Sequence, residues 1–261
     1  MSVKTVLIVA MESERVQLDD LMPGWVRHEH AIWPTLRNDD VVCITSGIGM
    51  VSAAAATEHA ITTYTPSVLM NFGCTGAHHS DLYPGDVVIG DRLVHQGRMR
   101  FAPDGKIIPL ATGFYVPGEA TQVTSLSTDP RLRLAAEDVA STVQFTTWPH
   151  SARLTTQTDR SPIVLTGTVS SGDIWLQSAD RIHEAHSRTG SLCEDMEAAS
   201  IAQICAMHGI PFLTVKDISN SELHEATIFD DSTSALHADE LGLRSATVIA
   251  GVIEKLRAEG L

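Results

Sequence analysis

Short apolar runs bounded by glycine or proline, none alternating with polar residues, constrain this chain most. Val6-Leu7-Ile8-Val9-Ala10, Val41-Val42-Cys43-Ile44, Val68-Leu69-Met70 and Phe212-Leu213-Thr214-Val215 are of this kind. A strand with one wet face alternates, whereas a run apolar throughout is covered on both faces. The runs are separated by stretches of helical period, which predicts an α/β architecture with a buried sheet between helical layers. Strands are expected over 3–10, 41–45, 67–72, 86–89, 93–95, 163–169 and 211–218. Helices are expected over 53–64, 130–141, 194–208 (with Gly209 as its C-cap) and 239–258. In the last, Leu243, Ala246, Ile249, Ala250, Ile253 and Leu256 recur at helical spacing. Gly242 and Gly251 should weaken it by ~1 kcal/mol each relative to alanine.

No turn-rich stretch is long enough to read as a linker, so residues 1–261 read as a single domain. Residues 97–162 carry Pro103, Pro109, Pro117, Pro130 and Pro149 and read as an insertion, either a contact-bearing one or a tolerated surface excursion. With 18 Lys and Arg against 32 Asp and Glu, the net charge is −14. That balance argues against nucleic acid and anionic membranes as partners, because both require cations. No apolar stretch approaches the ~20 residues of a membrane span. The first run is too short for a signal peptide, and Glu12 ends it. Cys43, Cys74, Cys193 and Cys205 form no C-x-x-C pair and read as reduced thiols of a cytoplasmic protein.

Several motifs are incomplete. Gly47-Ile48-Gly49 lacks the third glycine and the acidic residue of a dinucleotide fingerprint, and reads as a tight strand-to-helix turn. His183-Glu184-Ala185-His186 has the wrong spacing for H-E-x-x-H, and no metal or other cofactor is expected. His78-His79 reads as a polar loop. Neither a P-loop nor a G-x-S-x-G elbow is present.

Three segments place polar residues where runs should be buried. Ala10-Met11-Glu12-Ser13-Glu14 ends the first strand, where the ligand crevice of an open sheet lies. A carboxylate there can act as a base, or can simply complement a helix dipole. In Glu194-Asp195-Met196-Glu197-Ala198-Ala199, Glu197 shares a helical face with Ile201 and Ile204. Such a buried carboxylate needs hydrogen-bond donors, and sugar hydroxyls are suitable. Glu194 and Asp195 read as first-turn acids. Lys216-Asp217-Ile218-Ser219-Asn220 ends another buried run, and reads either as crevice-facing polar groups or as a strand-to-loop turn.

Together these segments resemble the nucleoside phosphorylase/hydrolase superfamily, nearest to the 5'-methylthioadenosine/S-adenosylhomocysteine nucleosidases. Ser46-Gly47-Ile48-Gly49, Asn71-Phe72-Gly73-Cys74-Thr75-Gly76, Gly85-Asp86-Val87-Val88, Ser171-Gly172-Asp173 and Gly209-Ile210-Pro211-Phe212 support the resemblance. It implies a three-layer α/β/α fold with a central mixed, partly barrel-like sheet. It also implies hydrolysis of the N-glycosidic bond of a 5'-substituted purine nucleoside. Glu14 would activate water. Glu197 would hold the ribose hydroxyls, with Met11 and Met196 against the sugar. Trp175 would stack on the purine, the Leu176 backbone would meet its edge, and Cys74, Thr75 and Gly76 would line the base pocket. A homodimer is implied, with Phe101, Phe114 and Tyr115 as candidates for a loop closing the neighbour's pocket.

A phosphorylase must grip phosphate, usually with arginine. The related hexameric phosphorylases carry a G-D-P-x-R-like segment where this chain has Ala10-Met11-Glu12-Ser13-Glu14, which points to water as nucleophile. The nucleosidase branch carries an acid toward purine N7 where this chain has Asn220. An amide donates a hydrogen bond but no titratable proton. Two substrate classes therefore stay open: adenine nucleosides, helped by Asp217 or Glu222, and 6-oxopurine nucleosides of the futalosine or inosine type. A phosphorylase of the same fold and a nucleoside sensor are the alternative functions.

Overall fold

The first apolar run divides its side chains between two cores. Val6 and Ile8 join one cluster with Val42, Ile44 and Leu69, while Leu7 and Val9 join a second with Val41, Cys43 and Met70. A period of two with both faces apolar is what a strand between two helical layers requires. Burying each such side chain contributes ~1.5–3 kcal/mol.

The computed structural model describes residues 4–28, 32–146, 161–224 and 240–260. In chain order it begins with β1 (Thr5–Val9), α1 (Glu12–Arg15), α2 (Leu18–Leu21), β2 (Val26–Arg27), β3 (Thr35–Asn38) and β4 (Val41–Thr45). There follow α3 (Met50–Tyr64), β5 (Val68–Ala77), β6 (Val87–His95), β7 (Met99–Phe101), β8 (Ile107–Pro109), β9 (Thr112–Val116) and β10 (Glu119–Val123). The remaining elements are β11 (Leu126–Ser127), α4 (Pro130–Thr142), β12 (Val164–Ser171), α5 (Ala179–Thr189), β13 (Ser191–Asp195), α6 (Ala198–His208), β14 (Phe212–Asn220) and α7 (Leu243–Ala258).

The sheet runs β11-β6-β12-β13-β5-β1-β4-β3-β2, and β14 pairs with both β5 and β6. That double pairing closes β5, β14, β6, β12 and β13 into a ring, the expected barrel-like part of a mixed sheet. α3 and α6 cover one face, and α4 and α7 the other. Ring closure depends on Gly90, where a Cβ would lie 2.5 Å from Thr214 Cγ2. The expected strands 86–89 and 93–95 are therefore one bent strand, β6, whose register with β12 shifts beside Gly90.

Two further expectations are corrected. Residues 194–208 are not one helix: Glu194 and Asp195 end β13, and α6 starts only after Glu197, its N-cap. The strand wins because Glu194 pairs with Gly76 and Ser170, and Asp195 with Ser171. The final helix starts at Leu243, with Gly242 at φ +78° as its N-cap; residue 239 lies outside the described residues. Gly251 serves packing rather than merely weakening α7, since a Cβ there would meet Val139 Cγ1 of α4 at 2.6 Å.

The insertion forms two hairpins, β7–β8 and β9–β10, before β11 and α4; residues 147–160 are outside the described residues. Phe114 is a core residue, whereas Phe101 (71% exposed) and Tyr115 (68%) point to solvent. Among the described residues no helix is long and apolar enough to cross a membrane.

Candidate active site

The carboxyl ends of the strands converge on a cavity of about 290 Å³. β1 leads into Ala10, Met11 and Glu14; β5 supplies Cys74, Thr75 and Gly76; β13 supplies Glu194 and Asp195, followed by Met196 and Glu197. β14 contributes Ser219 and Asn220, the segment after β12 brings Ile174 and Trp175, and Ile48 closes the rim. A larger hollow of about 610 Å³ lies at the other end of β1 and β5. Of its cations Lys4, Arg131 and Lys255, the last two are engaged by Asp129 and Asp138, and none of the carboxylates of the strand-end cavity lines it.

Glu14 is clamped. Its Oε1 accepts from the Cys74 amide (2.8 Å) and its Oε2 from the Met11 amide (3.0 Å), and the residue is 2% exposed. Gly73, at φ +149°, makes room: a Cβ there would stand 2.3 Å from Glu14 Oε1. Glu12, by contrast, turns outward to Arg15 and Thr45. The two acids of α1 thus divide, and only Glu14 faces the cavity.

Glu197 is held by the tight turn. Its Oε1 accepts from the Gly49 amide at 2.8 Å, where Gly49 sits at φ +102° with Asp173 against it. Burial, then the adjacent Asp195 charge, pushes the Glu197 carboxyl up to about 7, against the pull of Lys216 and the Gly49 amide. Asp195 is tied down from three sides: Ser171 Oγ and the Ala198 amide donate to it, and Lys216 Nζ lies 2.8 Å away. Burial opposes the charge on Lys216, but Asp195, Glu197 and Glu14 together raise its pKa. Neither Lys216 nor this use of Asp195 follows from the sequence patterns. The available signal was a lysine inside an apolar run.

Asn220, 5% exposed, shares its Oδ1 with Ser219 Oγ (2.8 Å), and its Nδ2 lies 3.5 Å from Glu222 Oε1. Asp217 does not line the cavity; it is fully buried, bonded to Ser245, and raised to about 6 by burial. Leu176 does not line it either, and its amide donates to Glu194 Oε1 at 2.8 Å. The lining carboxylates are Glu14, Glu194, Asp195 and Glu197, and among the described residues no arginine or lysine lines the cavity. No cluster of metal-ligating side chains occurs among the described residues, and His183 and His186 lie on α5 away from the cavity lining. His78 and His79 lie in the loop that follows β5, with His78 buried against Ser191.

The family model of the phosphorylase superfamily matches residues 4–254. A 5'-methylthioadenosine/S-adenosylhomocysteine nucleosidase of Geobacillus thermodenitrificans is 30% identical over 256 residues, covering 94% of this chain and 97% of that protein. The protein of that name from Oceanobacillus iheyensis is 28% identical, covering 85% and 84%. The crystal structure of an S-adenosylhomocysteine nucleosidase from Streptococcus pyogenes, in complex with 5-methylthiotubericidin, superimposes with a TM-score of 0.72 at 26% identity, covering 98% of each chain. Futalosine hydrolase of Helicobacter pylori shares the fold, at TM-score 0.73 and 18% identity.

Proposed function

Because this chain belongs to the phosphorylase superfamily, we propose that its cavity hydrolyses the N-glycosidic bond of 5'-substituted purine nucleosides, in the manner of the 5'-methylthioadenosine/S-adenosylhomocysteine nucleosidases. The observation that carries this reading is the clamped Glu14 in a cavity lined by carboxylates and, among the described residues, by no cation. Such a lining repels phosphate and tolerates water.

Water attacks the anomeric carbon while Glu14 takes its proton. The C1'–N9 bond breaks, its electron pair goes to the purine, which takes a proton from solvent water, Glu14 returns its own proton to solvent, and the products are the free base and a 5-substituted ribose. The sugar passes through an oxocarbenium-like state, which nearby carboxylates stabilise. Glu197 Oε1 is occupied by Gly49, so its Oε2 accepts from the ribose hydroxyls. Met11 and Met196 pack against the sugar and Trp175 against the base, with Cys74, Thr75 and Gly76 around it. Asn220 donates to the leaving purine as a hydrogen-bond donor, not as an acid.

Incubation with 5'-methylthioadenosine in phosphate-free buffer tests the reading. Adenine release at a rate unchanged by added phosphate is expected; strict phosphate dependence would establish a phosphorylase instead. The pH profile adds a second check. Glu197 must be ionised to accept from sugar hydroxyls, so kcat/KM should rise with pH through about 7. That limb should vanish in Glu197→Gln. The stability linkage has the opposite sign: the folded state holds this proton up to about 7 against 4.5 for a free glutamate, so Glu197's contribution falls as pH rises across that window. A flat profile from pH 6 to 8 would remove Glu197 from the ribose site.

The assembly is proposed to be a cytoplasmic homodimer. Four thiols without a disulfide and two exposed apolar residues, Ile48 (59%) on the cavity rim and Val51 (79%) on α3, support this. Sedimentation at the mass of one 28.1 kDa chain would count against it.

A further inference from the structure

Arginine in this chain is ordinarily matched by an acid. Arg15, Arg133, Arg244 and Arg257 each meet a carboxylate, as 18 cations among 32 acids would suggest. Arg92 and Arg98 depart from this: among the described residues neither pairs with a carboxylate, and both bond neutral oxygens instead. With Arg188 they line a separate cavity of about 290 Å³, where β6 and α5 end beside the hairpins of the insertion. Among the described residues no aspartate or glutamate lines it.

The guanidinium groups are held in place. Arg92 Nε donates to Thr168 Oγ1 (3.0 Å) and its Nη2 to the Thr189 carbonyl (2.9 Å). Gly190, at φ +70°, leaves room for this, since a Cβ there would stand 3.2 Å from Arg92 Nη2. Arg98 Nη2 donates to the Ala111 carbonyl at 2.9 Å. The Arg188 side chain is 14% exposed and has Glu184 at 3.8 Å, a carboxylate that also accepts from Arg181 at 2.8 Å. A guanidinium carries five N–H donors, and these bonds use two on Arg92 and one on Arg98. His95 lines the same cavity, bonds Gln203, and keeps its Nε2 buried without a partner. A buried polar atom of this kind calls for a bound ion or water. Burial lowers the His95 pKa and the Arg98 charge adds to this, against the Gln203 bond, so the ring stays neutral in a positive local field.

We propose that this cavity binds a phosphate dianion, either inorganic phosphate or the phosphate of a small phosphomonoester. Guanidinium forks match the oxygens of phosphate with paired, charge-assisted hydrogen bonds. A volume of about 290 Å³ lies at the low end for ligand pockets and suits a small ion or ester rather than a nucleotide. The Thr124 and Ser125 side chains, which also line it, offer hydroxyls to the remaining phosphate oxygens or to the alcohol part of an ester. The cavity shares no lining residue with the catalytic one; Gln96 of its wall reaches Glu194 of the other at 3.1 Å. Phosphate held here therefore lies outside the cavity in which the glycosidic bond is broken, and hydrolysis stays independent of it.

Titration calorimetry of the full chain with inorganic phosphate at low ionic strength should show one site per chain with a Kd of about 1 mM or tighter; weaker binding overturns the proposal. Arg98→Met and Arg188→Met should each weaken binding roughly tenfold or more, the scale of one lost hydrogen bond to a charged group. Arg27→Met, which removes the same charge on β2 outside the cavity, should not. Affinity unchanged in either cavity variant, or an equal loss in Arg27→Met, overturns it, because the ion then sits elsewhere or answers only to net charge. Should Arg188→Met misfold, Arg98→Met decides, since Arg98 is exposed and bonds a single carbonyl. Both cavity variants should release adenine from 5'-methylthioadenosine at the wild-type rate. Release slowed in step with lost phosphate binding would put the anion in the catalytic cavity and overturn the proposal. If the wild type releases no adenine, the nucleosidase reading fails and the calorimetry still decides this one. Glycerol 3-phosphate separates the two sources: tighter binding than phosphate assigns the site to phosphomonoesters, equal or weaker binding to the free ion, and both uphold it.

Discussion

Glu14→Gln is expected to lower kcat for adenine release from 5'-methylthioadenosine about a thousandfold, ~4 kcal/mol in the barrier, with KM within a few-fold. The magnitude follows from what the side chain does. A general base contributes on the order of 10²–10⁴, and an amide cannot take the proton. Position adds to this. Both carboxylate oxygens already accept backbone N–H groups, from Cys74 and Met11, so glutamine must point its NH₂ at one of those donors. The clamp and the base are lost together. Because the effect lies on the chemical step, kcat should carry it while the proposed sugar contacts of Glu197 preserve KM. Circular dichroism and the melting temperature must stay near wild type for the comparison to count. A kcat within tenfold of wild type would remove Glu14 as the base.

Lys216→Met should cost the fold ~3–5 kcal/mol, the scale for removing one partner of a buried ion pair. Lys216 is 2% exposed and lies 2.8 Å from Asp195, with Glu197 and Glu14 adding their fields. Without the ammonium, these carboxylates remain buried with, among the described residues, no lysine or arginine lining the cavity beside them. A chain of this size loses ~2–4 °C per kcal/mol, so a fall of roughly 10 °C is expected. The defect should be smaller at pH 5.5 than at pH 8, because Glu197, whose carboxyl burial pushes up to about 7, then takes a proton and loses its unpaired charge. Lys216→Met with Asp195→Asn should recover much of the loss, which a double-mutant cycle would read as coupling. A single unfolding transition would also fit the proposed single domain over 1–261. A fall below 1 kcal/mol would mean that the pair is solvated.

Much of the site was legible because strand ends and short motifs are local. The segment 10–14 could be placed at the crevice from the apolar run before it, and Glu14 lies there. The turn at Gly47-Ile48-Gly49 read as a tight strand-to-helix connection, and Gly49 at φ +102° makes it one. Glu194 and Asp195 were misread for an equally physical reason. Acidic residues ahead of an apolar stretch of helical period look like a first helical turn. The strand there is decided by pairing partners at Gly76, Ser170 and Ser171, which are far away in the chain.

The amino-acid sequence by itself determined the α/β class, the runs buried on both faces, and the segments that supply polar groups. All of these rest on periods of two and 3.6 residues and on turn chemistry, which a few neighbouring residues specify. Only the tertiary structure decided which acids meet which donors: Glu14 with Cys74, Glu197 with Gly49, Asp195 with Lys216, and Glu194 with Leu176. A buried charge is tolerated only where the folded chain brings it a partner. Closure of the ring through Gly90 and Gly76 brings those partners together, and no local pattern encodes it.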